Sequence, residues 1–352
     1  MQDTILKYIN VLGNYSFEEL EFNEVDALIL SLIPYVDLSG IKFKQSVAIK
    51  DVLNLTKKRF NLKRKDSFLD NTRNMLNILA TKDRYKDLLL ENYVKINNKQ
   101  EQFGAITIRL DKHTIFVAFE GTEDNLVGWE EDFRMSHMYP IPAQKSAEIY
   151  LQEQAKLNNF HIYIGGHSKG GNLSMAAGLK ANFLTRLRIK KIYNFDGPGF
   201  LDSQLKSRNF AKISKKICTY IPEESVVGVL LNNPTKTKVI NSYAKKTLSH
   251  DAFTWQCFGS IFCEGVLSDY SYNVQRKVRQ IMSNYTNDDK KLFVDTFFKI
   301  LYNSGYTEKS ELNKVSFIKA KNIIKEMHKL SKEEKNILFD ILKIFLKDDK
   351  HE

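Results

Sequence analysis

The stretch "IYIGGHSKGGNL", Ile162 to Leu173, decides how the rest of the chain is read. Its first half is a short apolar, β-branched run that ends in glycines. Its second half opens a segment rich in small residues, "GGNLSMAAGLKANFL", with the composition of a buried helix. Between them, Gly166-His167-Ser168-Lys169-Gly170 matches G-x-S-x-G. The spacing has a mechanical meaning. A serine on a sharp strand-to-helix turn is held in strained backbone geometry with its hydroxyl above the sheet. Small residues two before and two after let strand and helix pass closely. The helix start adds free N–H groups and a positive end where negative charge can develop. Ser168 is therefore read as a nucleophile, set against the plainer possibility of a glycine-rich turn.

Outward from this stretch the chain alternates. "FGAITIRL" and "HTIFVAFE" read as adjacent strands, with "LVGWEEDFRM" and "AQKSAEIYLQEQAKL" as helices after them. "KKIYNFDGPGF" and "KKICTYIPEESVVG" are two further buried strands, and "TKTKVINSYA" is a candidate for one more. Strands alternating with helices imply an α/β fold with a mostly parallel central sheet flanked by helices. Residues 1–90 read as a mainly helical part packed on the core, with "NTRNMLNILA" and "RYKDLLLENY" at helical spacing and "SFEEL" as a capping signal at Ser16. "VDALILSLIPYV" reads as a buried helix interrupted by Pro34. Residues 91–265 form the α/β core. Residues 266–352 read as amphipathic helices.

The 352 residues, 43% apolar and 27% charged, leave ample material for a core and argue against disorder. Three cysteines, Cys218, Cys257 and Cys263, lack zinc-site spacing and read as reduced thiols. With no signal-peptide pattern and no membrane-length apolar run, the expected location is cytoplasmic. The net charge of +11 is spread over lysine-rich helices. A denser patch at Lys57, Lys58, Arg59, Lys63, Arg64 and Lys65 is able to touch an anionic membrane. No nucleic-acid motif accompanies it, so no nucleic-acid partner is expected.

A serine nucleophile needs a base, and the base needs an orienting acid. In α/β sheets with this elbow the order along the chain is serine, acid, histidine. His250, His328 and His351 follow the elbow. His250, in "LSHDAFTWQ", is the expected base. His328 lies on a lysine-rich helix face and His351 at the C-terminus. Asp196, at the carboxyl end of "IYNF", is the favoured acid. Glu223 or Glu224, after the next strand, is the alternative. Backbone N–H groups of Lys169 and of the Gly121-Thr122 loop are candidates for an oxyanion hole. His137 is able to line the cleft, and His167 is expected to point away from the site and pack. No metal or organic cofactor is called for.

Taken together, "FNEVDALILS", "GTEDNLVGWEEDF", "GGHSKGGNL", "YNFDGPGF", "IPEESVVG" and "HDAFTW" resemble a bacterial family of lipase-like α/β-hydrolase proteins related to class 3 lipases, over about residues 15 to 260. The resemblance implies an α/β-hydrolase-like fold with helical additions at both termini. It also implies a serine esterase acting on a small-molecule or lipid ester, with Ser168 as nucleophile, His250 as base and Thr122 in the oxyanion loop. It leaves the acid open. Class 3 lipases carry it near the position of Ser225 here, whereas pancreatic-type lipases carry it in a turn similar to "FDGP", which supports Asp196. Two residues depart from the pattern. Lys169 stands where lipases usually show leucine, and is expected to draw an anionic substrate or a phosphate-bearing head group. Glu120 stands where relatives usually have arginine. The competing expectation is a non-catalytic relative that keeps the elbow for its geometry alone.

Overall fold

The computed structural model describes residues 2–41, 46–56, 67–157, 160–233, 237–313 and 316–347. The basic run from Lys57 to Lys65 and His351 lie outside the described residues. The chain begins with α1 (Ile5–Leu12) and α2 (Glu24–Leu32), then β1 (Val47–Ala48), α3 (Ile49–Thr56) and α4 (Ser67–Leu79). Next come β2 (Leu89–Asn97), β3 (Gln102–Arg109), β4 (Thr114–Phe119), α5 (Leu126–Arg134) and α6 (Pro142–Leu157). The elbow joins β5 (His161–His167) to α7 (Lys169–Lys180). After it follow α8 (Phe183–Arg188), β6 (Ile189–Phe195), α9 (Asp202–Leu205), α10 (Arg208–Ile213), β7 (Ile217–Pro222) and β8 (Thr237–Ile240). A small hairpin, β9 (Cys257–Phe258) and β10 (Ile261–Phe262), precedes α11 (Asp269–Asn284), α12 (Asn287–Asn303), α13 (Phe317–Lys329) and α14 (Lys332–Leu346).

Eight strands form one sheet in sequential order, β1 to β8; β1 to β4 pair antiparallel and β4 to β8 parallel. Parallel neighbours in sequential order have a consequence. Crossovers of one hand all fall on one face. That face carries α6, α7 and α10, packed on Ile115, Val117, Phe119, Ile162, Ile164 and Ile192. The alternate side chains, Phe116, Ala118, Tyr193, Phe195 and Tyr220, point the other way. Winding leaves that second face bare, and α1, α2 and α4 cover it. The fold is α/β-hydrolase-like: a mostly parallel sheet, helices on both faces and a serine elbow after a central strand.

The C-terminal helices join through α5. Its outer face presents Trp129 and Phe133 to Phe293, Phe297 and Phe298 of α12. Two local expectations change. "RYKDLLLENY" runs into a strand, because Leu89–Asn97 pairs with β3. A bulge at Asn92, with φ of 52°, shifts the register between Glu91 and Val94 and breaks the alternation that marks a strand. At Ser16 the capping bonds with Glu19 form, yet they close a single turn and no helix follows.

Candidate active site

Ser168 follows β5 and caps α7 with φ of 59° and ψ of −134°. A non-glycine residue there stores roughly 1–3 kcal/mol of strain. Serine is a favoured N-cap because its oxygen can accept from the first helix N–H groups. Ser168 makes no such bond. The flanking glycines show why the turn is possible. A Cβ on Gly166 would meet the Gly170 carbonyl at 2.3 Å, and a Cβ on Gly170 would meet the Phe119 carbonyl oxygen at 2.1 Å.

Asp196 follows β6, fully buried, also at positive φ (50°). Its Oδ2 lies 2.6 Å from Nδ1 of His250. Its Oδ1 accepts from the Ser225 hydroxyl and from the Gly228 N–H at 3.0 Å. A carboxylate so placed accepts Nδ1–H and leaves Nε2 of His250 as the basic nitrogen. Ser225 thus brings the turn after β7 onto the same acid. Glu224 is engaged elsewhere, accepting the Lys246 N–H at 2.7 Å, and Glu223 lies 3.7 Å from the Lys245 ammonium.

The loop that carries His250 is pinned. The Trp255 indole N–H donates to the Ser249 carbonyl at 2.8 Å. His167 Nε2 donates to the His250 carbonyl at 2.8 Å, and the two imidazole rings lie 4.6 Å apart. His167 is buried, and burial first, then the neighbouring His250, holds its imidazole well below the usual histidine value. Phe68 of α4 stacks on it and Tyr35 sits 3.2 Å from Nδ1. The expected packing residue therefore also tethers the loop that carries His250. The Ser168 hydroxyl makes no hydrogen bond to His250 or to any other described residue.

Two backbone donors flank Ser168. Neither the Lys169 N–H nor the Thr122 N–H is bonded to another described residue. Gly121 backs directly onto the serine; a Cβ there would stand 2.9 Å from the Ser168 Cβ. The Gln102 amide donates to the Gly121 carbonyl at 3.2 Å. In a trans peptide the carbonyl and the next N–H point opposite ways. The Thr122 N–H is thereby turned away from Gln102. The Thr122 hydroxyl donates to Asp132 at 2.7 Å, so it is already committed. Burial lifts the Asp132 carboxyl to about 6, against the opposing pull of Lys169 and of this hydroxyl.

The Lys169 side chain overturns the expectation placed on it. Its ammonium is fully buried and donates to the Gln102 carbonyl and Gln102 Oε1, both at 2.8 Å, and to Glu131 at 3.0 Å. It faces the protein core beneath the loop and is closed to a head group. Glu131 also accepts the N–H groups of Gln102 and Ala143, each at 3.1 Å. Glu120 is buried as well, 2.6 Å from Lys95, in space that Gly104 leaves by lacking a side chain. His137 stands by α12, with Asp295 and Lys291 among its charged neighbours, and burial lowers it to about 4. No bond joins His137 to Ser168, Asp196 or His250, and His328 lies on α13.

Gln102, Glu131 and Asp132 escaped the sequence reading. A lysine placed inside an elbow was the available signal, because a buried ammonium requires an acid.

The mostly parallel sheet, the strained serine elbow and the contact between buried Asp196 and half-buried His250 belong to an α/β-hydrolase-like fold. The chain belongs to the Mbeg1-like family, whose family model matches residues 79–299. Among solved structures, the chain is similar to the M37 lipase crystal structure (13% identity, 58% of this chain and 68% of that one, TM-score 0.35). It is similar also to a fungal lipase–inhibitor complex (13% identity, 70% of this chain and 96% of that one, TM-score 0.35). No curated protein matches it. Among the described residues no helix is long and apolar enough to cross a membrane.

Proposed function

We propose that the protein is a serine hydrolase that cleaves a carboxylic ester through Ser168, His250 and Asp196. The observation that carries this is the 2.6 Å contact between His250 Nδ1 and buried Asp196, placed beside a strained serine whose hydroxyl is not used as a helix cap. In this reading the ester draws Ser168 and His250 together. Nε2 of His250 takes the hydroxyl proton as Oγ attacks the carbonyl carbon. The negative oxygen of the tetrahedral intermediate is received by the N–H groups of Lys169 and Thr122. Collapse expels the alcohol, which takes the proton from His250, and leaves an acyl-serine. Water, deprotonated by His250, releases the acid and restores the serine.

The buried network gives Lys169 a role unlike the one its position first suggests. Its ammonium holds Gln102, and Gln102 holds the Gly121 peptide. Lys169 would then serve the oxyanion loop from behind and leave substrate choice to other residues. The substrate class proposed is a small or lipid ester, met in the cytoplasm. Labelling by a fluorophosphonate probe tests the reading. Wild type is expected to label at one serine, and Ser168→Ala to lose the label with its melting temperature kept. A folded wild type that does not label sinks the proposal, and the non-catalytic reading, which rests on the open Ser168–His250 link, takes its place.

A further inference from the structure

The other end of the sheet carries a surface that the proposed reaction does not use. α8 is a six-residue helix, capped by Asn182, whose side chain accepts the Thr185 N–H. Thr185 is buried, whereas Phe183, Leu184 and Leu187 are 69%, 70% and 62% exposed. Three large apolar side chains held in water on so short an element form a cluster, and a cluster of this kind marks a contact surface.

Its surroundings are cationic. From Lys180 to Lys191 there are five basic residues and no acid, and from Arg208 to Lys216 four more and again no acid. The fold brings the two runs together. The Lys216 ammonium donates to the carbonyls of Arg186 and Ile189, at 2.7 and 2.6 Å. Partial burial, with the charges of Lys190 and Arg186 beside it, lowers Lys216 from the usual lysine value. The Arg186 guanidinium donates to a backbone carbonyl, that of Ala181. Among the described residues no carboxylate pairs with Lys180, Arg186, Lys190, Lys191, Lys215 or Lys216. Elsewhere on this surface lysines commonly sit against acids, as Lys238 does with Glu24 and Lys291 with Asp295.

We infer that α8 and the lysines around it form a docking face for an anionic bilayer. Apolar side chains enter the head-group boundary while a rim of lysines without carboxylate partners meets the negative lipids. A nucleic acid would satisfy the cations and leave Phe183, Leu184 and Leu187 in water. The orientation follows from the strand. α8 enters β6 at its start and Asp196 leaves it at its end, so the face lies roughly 20 Å from the acid. Docking there turns the Ser168 end away from the bilayer, toward esters arriving from water or from a second surface. Only this last step rests on the hydrolase reading.

The test is cosedimentation of the full chain with vesicles of phosphatidylglycerol and phosphatidylcholine, against pure phosphatidylcholine. Wild type and Ser168→Ala are expected to bind the anionic vesicles equally and pure phosphatidylcholine poorly, with binding weakened by salt. A Phe183→Ser, Leu184→Ser, Leu187→Ser triple variant should lose roughly tenfold or more in vesicle affinity, and so should Lys190→Glu with Lys191→Glu. These side chains are exposed, so unchanged melting temperatures will certify both variants. The inference is overturned if wild type ignores anionic vesicles at low salt, or if the triple variant binds as wild type does. It is also overturned if wild type is a dimer that the triple variant converts to monomer without any vesicle effect, or if DNA is bound as tightly as vesicles and the triple variant changes neither. Vesicle binding without serine labelling keeps this face and removes the hydrolase reading; labelling without binding does the reverse.

Discussion

The two ends of the central sheet break the ordinary rule of burial in opposite directions. At the Ser168 end, charged and polar side chains are inside: Glu120, Glu131, Lys169 and Asp196 have no exposed surface, and His167 has 2%. At the α8 end, large apolar side chains are outside. Burying a charge without partners is prohibitive, and exposing a cluster of apolar groups forfeits their transfer energy. The first end meets its cost internally, with hydrogen bonds arranged around the serine. Nothing among the described residues covers the second. The contrast separates a site that is finished within the molecule from one that is completed by something else.

The largest predicted effect breaks the finished end. Ser168→Ala should remove ester turnover by a factor of about 10⁶, to background, without loss of folding. Asp196→Asn keeps the shape but removes the carboxylate that accepts Nδ1–H. It should lower kcat by about 10⁴ while circular dichroism and melting stay near wild type. If Asp196→Asn keeps full rate on a model ester, Asp196 is not the acid.

How far these residues were visible beforehand depends on how local their determinants are. Ser168 was legible because strand, turn and helix lie within twelve consecutive residues. The paired strands β3 and β4 were legible for the same reason. That Asp196 and His250 come together was readable from a strand end and from chain order. What failed was long-range. "RYKDLLLENY" looks helical until β3 pairs with Leu89–Asn97 and Asn92 supplies the bulge. The direction of the Lys169 side chain is set by Gln102, sixty-seven residues earlier, and by Glu131 on α5. Ser225, where class 3 lipases carry their acid, donates its hydroxyl to Asp196, while the alternative acid Glu224 accepts the Lys246 N–H.

The next effect probes the support behind the serine. Gln102→Leu frees the Gly121 carbonyl and lets the peptide rotate. Loss of one oriented oxyanion donor should lower kcat by about 10²–10³ with KM little changed. An equal rise in KM with kcat intact would place Gln102 in ground-state binding instead. Lys169→Met leaves Glu131 buried without its cation and should cost about 3–5 kcal/mol in denaturant unfolding. Adding Glu131→Gln removes the stranded charge and should recover part of that loss. Were Lys169 a substrate contact, Lys169→Met would leave stability alone and shift preference between neutral and anionic esters.

The smallest effect concerns Glu120, beside the oxyanion loop. Lys95 bridges Glu120 at 2.6 Å and Glu123 at 2.7 Å, so two carboxylates compete for one ammonium. Glu120 Oε2 is buried with no partner. Burial, only partly opposed by Lys95, lifts the Glu120 carboxyl from 4.5 to about 8. A carboxyl whose value is raised by folding holds its proton in the native state over a range in which the unfolded chain has released it. Through this group the native protein binds more protons, so the contribution of Glu120 to stability falls as pH rises from about 4.5 to about 8, against the opposite contributions of His137 and His167. Asp132, lifted from 3.8 to about 6, adds the same sign over a lower window. Glu120→Gln removes the larger contribution, because an amide of the same shape is neutral at every pH and can still accept from Lys95. The variant should melt higher than wild type at pH 8, match it near pH 4.5, and show a flatter slope between. A wild-type melting temperature that rises from pH 5 to pH 8, with Glu120→Gln parallel to it, would mean that Glu120 is ionised in the native state and that Lys95 outweighs its burial.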